Sequence, residues 1–268
     1  MTAGMPFVLV SAPFREWVAA CDPLSDIGSL LLSVFRARIE SLPEPDKRYM
    51  SLLAGISESM RRRLMAGLQR MQLEPTEQQV ELLLGYLSLL IKWNKAYNLT
   101  SIRDPEKMVD LHLLDSLAVV SFFAEGENII DVGTGPGLPG MILAIMYPNK
   151  RLTLLDSNGK KTRFMFQAKT ELGLTNVTIV NDRVEAYHPP EPFDMIASRA
   201  FASLQDMVSW CQHLRADNGR FLAMKGQFPQ QELDALPAGY ELEASYPIEV
   251  PGVEGQRHML RLKAVDQH

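Results

Sequence analysis

The chain is poor in cysteine, with only Cys21 and Cys211 in 268 residues, and neither has a metal-type spacing to a second ligand. That excludes a disulfide framework, argues against a bound metal, and suits a reducing compartment. Long apolar runs are also missing, and none approaches the length that spans a bilayer. The first residues lack the basic segment, apolar stretch and small-residue cleavage site of a secretory leader. A cytoplasmic protein without membrane contact is therefore expected, with a monomer as the default state. Positive charge is in short supply as well. The 27 Lys and Arg residues stand against 32 Asp and Glu, a formal net charge of -5. Such a chain is not held to nucleic acid by its overall field, although a local basic face stays open. Arg61, Arg62 and Arg63 form one basic cluster, and Lys160, Lys161, Arg163 and Lys169 another. Either also reads as a solvated helix face.

Three zones follow along the chain. Residues 1–60 carry no motif and no amphipathic period, and prolines interrupt their short apolar pieces. This stretch is expected to be an extension of the main fold, either a poorly ordered arm or sequence upstream of the true start. Residues 61–127 form a helical segment. Pro75, Thr76 and Glu77 give a helix start, and Val80, Leu83, Leu84, Leu87, Leu90 and Ile91 keep helical spacing until Asn94 to Thr100 breaks it. Asp104 as N-cap and Pro105 as first helical residue restart a helix. Residues 128–268 alternate strands and helices. Strands are expected at Asn128 to Val132, Leu152 to Leu155, Val177 to Val180, Phe193 to Ser198, Gly219 to Lys225, Tyr240 to Ile248 and Gln256 to Leu262. The alternation predicts a mostly parallel sheet covered on both faces, and the last two strands an antiparallel pair at one edge.

The most specific feature is Asp131-Val132-Gly133-Thr134-Gly135-Pro136-Gly137-Leu138-Pro139-Gly140, which follows the first strand of the third zone. In an open α/β sheet a turn of this kind lies at the carboxyl edge, where ligands bind. Gly135, Gly137 and Gly140 also fit the dinucleotide fingerprint. A pyrophosphate, however, needs free N–H donors at the helix start, and Pro136 and Pro139 remove two of them. Asp131 at the strand end would repel a phosphate. An acidic residue before such a loop suits a cationic ligand without phosphates, which describes S-adenosylmethionine. The next strand ends at Asp156, nineteen positions after Gly137, where a carboxylate can accept ribose hydroxyls or cap the following helix.

The methyl acceptor is narrowed by elimination. Methylation of a pyrimidine carbon needs a cysteine nucleophile. Cys211 follows Trp210 on a helix and reads as core. The Pro-Pro-aromatic motif of exocyclic amine methylation is replaced by Ser198-Arg199-Ala200-Phe201. Guanine N7 has an in-plane lone pair and no proton, so positioning alone can serve and no general base is required. Arg199 has the fork to bind a phosphate or to orient the base, or it forms a salt bridge. Phe201 stacks on a base or packs in the core.

Trp93-Asn94-Lys95-Ala96-Tyr97-Asn98-Leu99-Thr100-Ser101, His112 with Asp115-Ser116, the glycine loop, Ser198-Arg199-Ala200-Phe201-Ala202 and Lys225-Gly226 occur in that order. Together they closely resemble the RsmG (GidB) family of 16S ribosomal RNA guanine-N7 methyltransferases, over roughly Glu74 to Ala264. The resemblance implies a Rossmann-like class I S-adenosylmethionine-dependent methyltransferase, with a seven-stranded, mostly parallel sheet and an N-terminal helical segment. It implies transfer to guanine 527 of 16S RNA, within the 30S subunit or its precursor. Carried over by position, Gly133, Gly135 and Leu138 belong to the donor loop, Val184 and Glu185 lie against the adenine, and Arg199 is a donor-site and positioning arginine. Asn98, His112, Asp115, Lys160, Arg163, Lys225 and His258 are candidates for RNA contact or site shaping. For His112 a core histidine is the other reading. A non-catalytic adenosine-binding RNA or assembly factor is the competing function, and a nicotinamide oxidoreductase is disfavoured by the two loop prolines.

Overall fold

The computed structural model describes residues 53, 55–199 and 201–265. Cys21 and nearly all of the expected extension lie outside them. The first described helix, α1 (Glu58–Arg70), starts just before the boundary expected at residue 60, because Ser57 caps it through the Met60 N–H. Of its clustered arginines Arg61, Arg62 and Arg63, two are held within the protein. Arg61 pairs with Glu81 at 2.7 Å, and Arg63 grips Asp110 with two bonds of 2.7 and 2.6 Å.

Helix α2 (Glu77–Tyr97) begins in a full capping box between Thr76 and Gln79, a motif worth about 1 kcal/mol. It runs three residues beyond the break expected at Asn94. That asparagine is buried, and its side chain bonds Thr100 N–H and Ile102 carbonyl, so it closes the turn from inside the helix. Asn98 ends α2 in the left-handed region and accepts a bond from Arg103.

The second helical run, α3 (105–117), starts as its sequence predicts. Asp104 accepts from Glu106 N–H, and Pro105 occupies the first turn. Its middle, Val109–Leu114, winds as a π-helix. Widened turns of this kind are frequent at functional sites, and this one carries His112 and leads into Asp115.

The sheet has seven strands in the order β3-β2-β1-β4-β5-β7-β6. They are β1 (Asn128–Val132), β2 (Arg151–Leu155), β3 (Val177–Val180), β4 (Phe193–Ser198), β5 (Arg215–Lys225), β6 (Tyr240–Pro247) and β7 (His258–Ala264). The first five are parallel, and β7 pairs antiparallel to both β5 and β6. The expected antiparallel edge pair is present. β5 starts four residues earlier than its polar opening suggested, because a register shift opposite Phe193 to Met195 accommodates Arg215 to Gly219.

Helices α4 (Gly140–Met146) and α5 (Gly159–Leu172) pack with α2 and α3 into one apolar core that includes Leu83, Leu87, Ile142 and Phe164. Helix α6 (Leu204–Cys211) covers the other face through Leu204, Met207 and Val208, and a short α7 (Gln230–Asp234) follows β5. Cys211 is fully buried, and burial pushes its thiol up to about 12, as a core role requires. Among the described residues no helix is long and apolar enough to cross a membrane.

Candidate active site

The carboxyl ends of the parallel strands meet at the glycine loop. Gly133, Gly135 and Gly137 all take positive φ, which an L side chain rarely adopts. The decisive property is the fate of the loop's amides. Gly133 and Thr134 donate to Leu155 carbonyl, and Gly137 and Leu138 donate to Thr134 carbonyl. Gly135 donates to Asp156 at 2.8 Å and Gly140 to Asp131 at 2.9 Å. All six N–H groups of residues 133–140 are thus engaged, and the other two residues are prolines. The loop has no free amide to offer a pyrophosphate.

The loop is braced from three sides. Tyr86, fully buried on α2, donates its hydroxyl to Pro136 carbonyl at 2.9 Å. Asp156 accepts Gly135 N–H on one oxygen and Asn158 N–H on the other, with Lys161 Nζ 3.8 Å away. Asp131 accepts Thr134 hydroxyl and Gly140 N–H on the same oxygen. Its second oxygen is buried with no partner among the described residues. Burial raises the Asp131 carboxyl to about 6, although its hydrogen bonds and Arg199 oppose that rise.

Two cavities lie at this end of the sheet, one of them lined by Gly133 of the loop. The first, of about 370 Å³, is lined by Val132 and Gly133 from β1, Leu155 and Ser157 from β2, and Asp182, Arg183, Val184 and Glu185 after β3. Phe201, Ala202, Asp206 and Trp210 close it. Of the expected donor residues, Gly133, Val184 and Glu185 line it, whereas Arg199 lines the second cavity. Gly135 and Asp156 brace the loop behind it, and Leu138 is buried in the core. Phe201 lies here, edge-on to Trp210 at 5.8 Å, a wall residue rather than pure core. The sequence reading missed Tyr86, Ser157, Asp182 and Trp210.

The second cavity, of about 480 Å³, contains His112, Asp115, Arg199, Lys225 and His258, all named from sequence, together with Arg257, which was not. Asp115 accepts Arg199 Nη1 at 3.0 Å on one oxygen and Arg257 Nε at 3.1 Å on the other. His112 lies against Leu111 carbonyl through Nδ1 and Thr100 hydroxyl through Nε2, both at 3.0 Å. A carbonyl can only accept, so Nδ1 carries the proton and Nε2 accepts from Thr100. Burial first, then the Arg199 charge, lowers His112 to about 4, so the ring is neutral at pH 7. This is the satisfied core histidine anticipated as one alternative, although it also lines the cavity. Lys225 is drawn inward to Glu232 at 2.8 Å and Phe201 carbonyl at 3.2 Å, and so shapes the site. His258 Nδ1 is buried without a partner among the described residues. Asn98, Lys160 and Arg163 lie outside both cavities.

Arg257 was missed because its place depends on topology. β7 runs against its neighbours, so the residues that open it arrive at the carboxyl edge of the parallel strands. His258 pairs with Lys225 there, and Arg257 stands just before it. An isolated basic residue ahead of a strand carries no such signal in the sequence.

A seven-stranded sheet with one reversed strand beside its edge, and a glycine loop closed to phosphate, defines the S-adenosylmethionine-dependent methyltransferase fold. Residues 79–260 match the family model described as rRNA small subunit methyltransferase G, and the chain belongs to that family (RsmG, or GidB). It is 57% identical over 201 residues to ribosomal RNA small subunit methyltransferase G of Ectopseudomonas mendocina, covering 75% of this chain and 94% of that protein. To the protein of the same description from Photobacterium profundum it is 55% identical over 205 residues, 76% of this chain and 99% of that one. The Pseudomonas aeruginosa (strain LESB58) protein is 58% identical over 181 residues, 68% and 85%.

Proposed function

We propose that this protein transfers a methyl group from S-adenosylmethionine to N7 of a guanine in 16S ribosomal RNA, at guanine 527, with the small subunit or its precursor as partner. The observation that carries the donor assignment is the glycine loop with every amide already engaged. A ligand seated there must do without phosphate. The charge of the adjoining cavity supports a cation, since Asp182, Glu185 and Asp206 stand against Arg183 alone. Asp131, buried beneath the loop, adds a carboxylate behind the cavity wall.

S-adenosylmethionine supplies an electrophilic methyl group on a sulfonium. Gly133, Val184 and Glu185 would hold its adenosine side, and Gly135, Leu138 and Asp156 would fix the loop that shapes the pocket. Arg199 lines the second cavity, where it would orient what enters, and its charge reaches Asp131 beneath the loop. The acceptor side suits N7, which loses no proton. His112 is neutral with both nitrogens engaged, and Asp115 is held by two guanidiniums, so neither is poised as a base. Catalysis then rests on alignment of the lone pair with the methyl carbon. Sequence identity above half to relatives described as small-subunit methyltransferases supports the RNA substrate.

The test is tritium transfer from labelled donor onto 30S subunits from a strain lacking the gene. Label mapped to N7 of the target guanine is expected. A complete absence of transfer to both 30S subunits and naked 16S RNA would reduce the protein to a binding factor.

A further inference from the structure

The cavity beyond Arg199 has the opposite charge to the donor cavity. Arg199, Arg257 and Lys225 face one acid, Asp115, and Lys225 is neutralised by Glu232 outside the cavity wall. Two guanidiniums on one carboxylate leave a full positive charge uncompensated, in a chain whose formal net charge is -5. A cavity built this way attracts an anion.

The two arginines are not equivalent. Arg199 directly follows β4, and its charge reaches the Asp131 carboxyl beneath the glycine loop. Arg257 lies across the cavity on the approach to β7. Its backbone is fixed, because its carbonyl accepts Ile248 N–H at 2.7 Å. Its side chain is fixed at one end only. Nε donates to Asp115 and Nη1 to Gln256 carbonyl, while among the described residues nothing bonds Nη2. About a third of the side chain is exposed. An arginine aimed by a carboxylate behind it, with an open outer edge, is arranged to take a phosphate in two-pronged fashion. Phe228, half-exposed and edge-on to His258 at 5.7 Å, supplies an aromatic beside the same wall. Aromatics set among cations suit a single-stranded nucleotide.

Resting on the reading that the substrate is ribosomal RNA, we propose that this cavity receives the acceptor nucleotide and that Arg257 binds the RNA backbone phosphate beside it. Asp115 aims the guanidinium from behind.

The experiment is equilibrium binding of unmodified 16S RNA and of 30S subunits across a salt series, with donor affinity measured in parallel by calorimetry. Arg257→Gln is expected to weaken RNA binding about tenfold, and to lower the slope of log affinity against log salt by about 0.7 to 0.9, the loss of one phosphate contact. Donor affinity is expected to stay within about twofold, since Arg257 does not line the donor cavity. Arg257→Lys keeps a cation and is expected to keep the wild-type slope, which gives a second reading should the glutamine variant fail to fold. An unchanged slope in Arg257→Gln, a slope equally lowered in Arg257→Lys, or a tenfold loss of donor affinity overturns the assignment. Absence of methyl transfer by the wild-type protein, with RNA binding that still responds to Arg257→Gln, sinks the enzymatic reading and leaves this one standing.

Discussion

The two cavities differ in sign although only the turn after β4 separates them. Arg199 faces one, and Phe201, two residues on, faces the other. The donor cavity has three acids against one base, and the neighbouring cavity three bases against one acid. Each sign matches the ligand proposed for it, a sulfonium in one and a polyanion in the other. The lesson concerns net charge. A total of -5 averages over surfaces with opposite duties and says nothing about either. The Arg61 to Arg63 cluster shows the converse error. It looks like an RNA face in the sequence, yet Arg61 and Arg63 tie α1 to α2 and to the π-turn.

The sharpest way to break this comparison is to disable one cavity and watch the other. Gly133 has φ +66° and lines the donor cavity. Gly133→Asp adds a side chain at a backbone angle that costs about 1–3 kcal/mol, and it fills the mouth. Donor affinity by calorimetry is expected to fall roughly 100-fold or more, since each 1.4 kcal/mol is tenfold. RNA affinity in the same variant is expected to stay within about threefold, because the basic cavity shares no wall with Gly133. A parallel collapse of both affinities would mean that the cavities form a single unit.

A smaller effect tests the sign of the donor cavity by pH. Asp131 titrates near 6 in the folded protein, against an ordinary 3.8. The groups that act on it are Thr134 and Gly140 of its own loop, Asp156 just after β2 and Arg199 just after β4. A raised carboxyl loses its charge as pH falls through 6, so a cationic donor loses an attraction in that direction. At pH 5 about one Asp131 in eleven stays ionised by simple titration, so donor affinity is expected to be weaker by up to about tenfold than at pH 7.5. The linkage for the free protein has the opposite sign. The native state takes up this proton more readily than the unfolded chain, so this group adds stability as pH falls from about 6 to 3.8. Donor affinity that is flat from pH 7.5 to 5 would remove Asp131 from the recognition of charge.

Much of this was legible because it is local. Asp104 with Pro105, and Pro75 with Thr76 and Glu77, announce helix starts by rules that operate within four residues. The loop's rejection of phosphate could be anticipated from Pro136 and Pro139, since a missing N–H is visible in the sequence. What stayed hidden depends on distant partners. Asp156 reads from sequence as a ribose acceptor or a helix cap, and its oxygens bond the backbone of two turns. Lys225 reads from sequence as an RNA contact or a residue that shapes the site, and Glu232 on α7 holds it. The widened turn at Val109–Leu114 has no composition of its own. It is fixed by packing and by Arg63 gripping Asp110 from another helix. Arg257 reached the site only through the reversal of β7.

The smallest expected effect comes from basic residues outside both cavities. Lys160 and Arg163 lie in the first turns of α5, exposed, with Arg163 Nε bonded to Gly159 carbonyl. Salt screens exposed charges over about 8–10 Å. Such residues can add to long-range attraction, yet they have no rigid frame comparable to the carboxylate behind Arg257. Replacing both with Ala is expected to weaken binding to 30S subunits only about twofold to threefold at physiological salt, less than the single change Arg257→Gln. The comparison is made by titrating both variants against the same subunits at the same salt. If the double variant loses more than the Arg257 variant, the RNA path runs along α5 and the basic cavity is only its end. A loss confined to low salt would place Lys160 and Arg163 in the general field, with the specific grip left to the cavity.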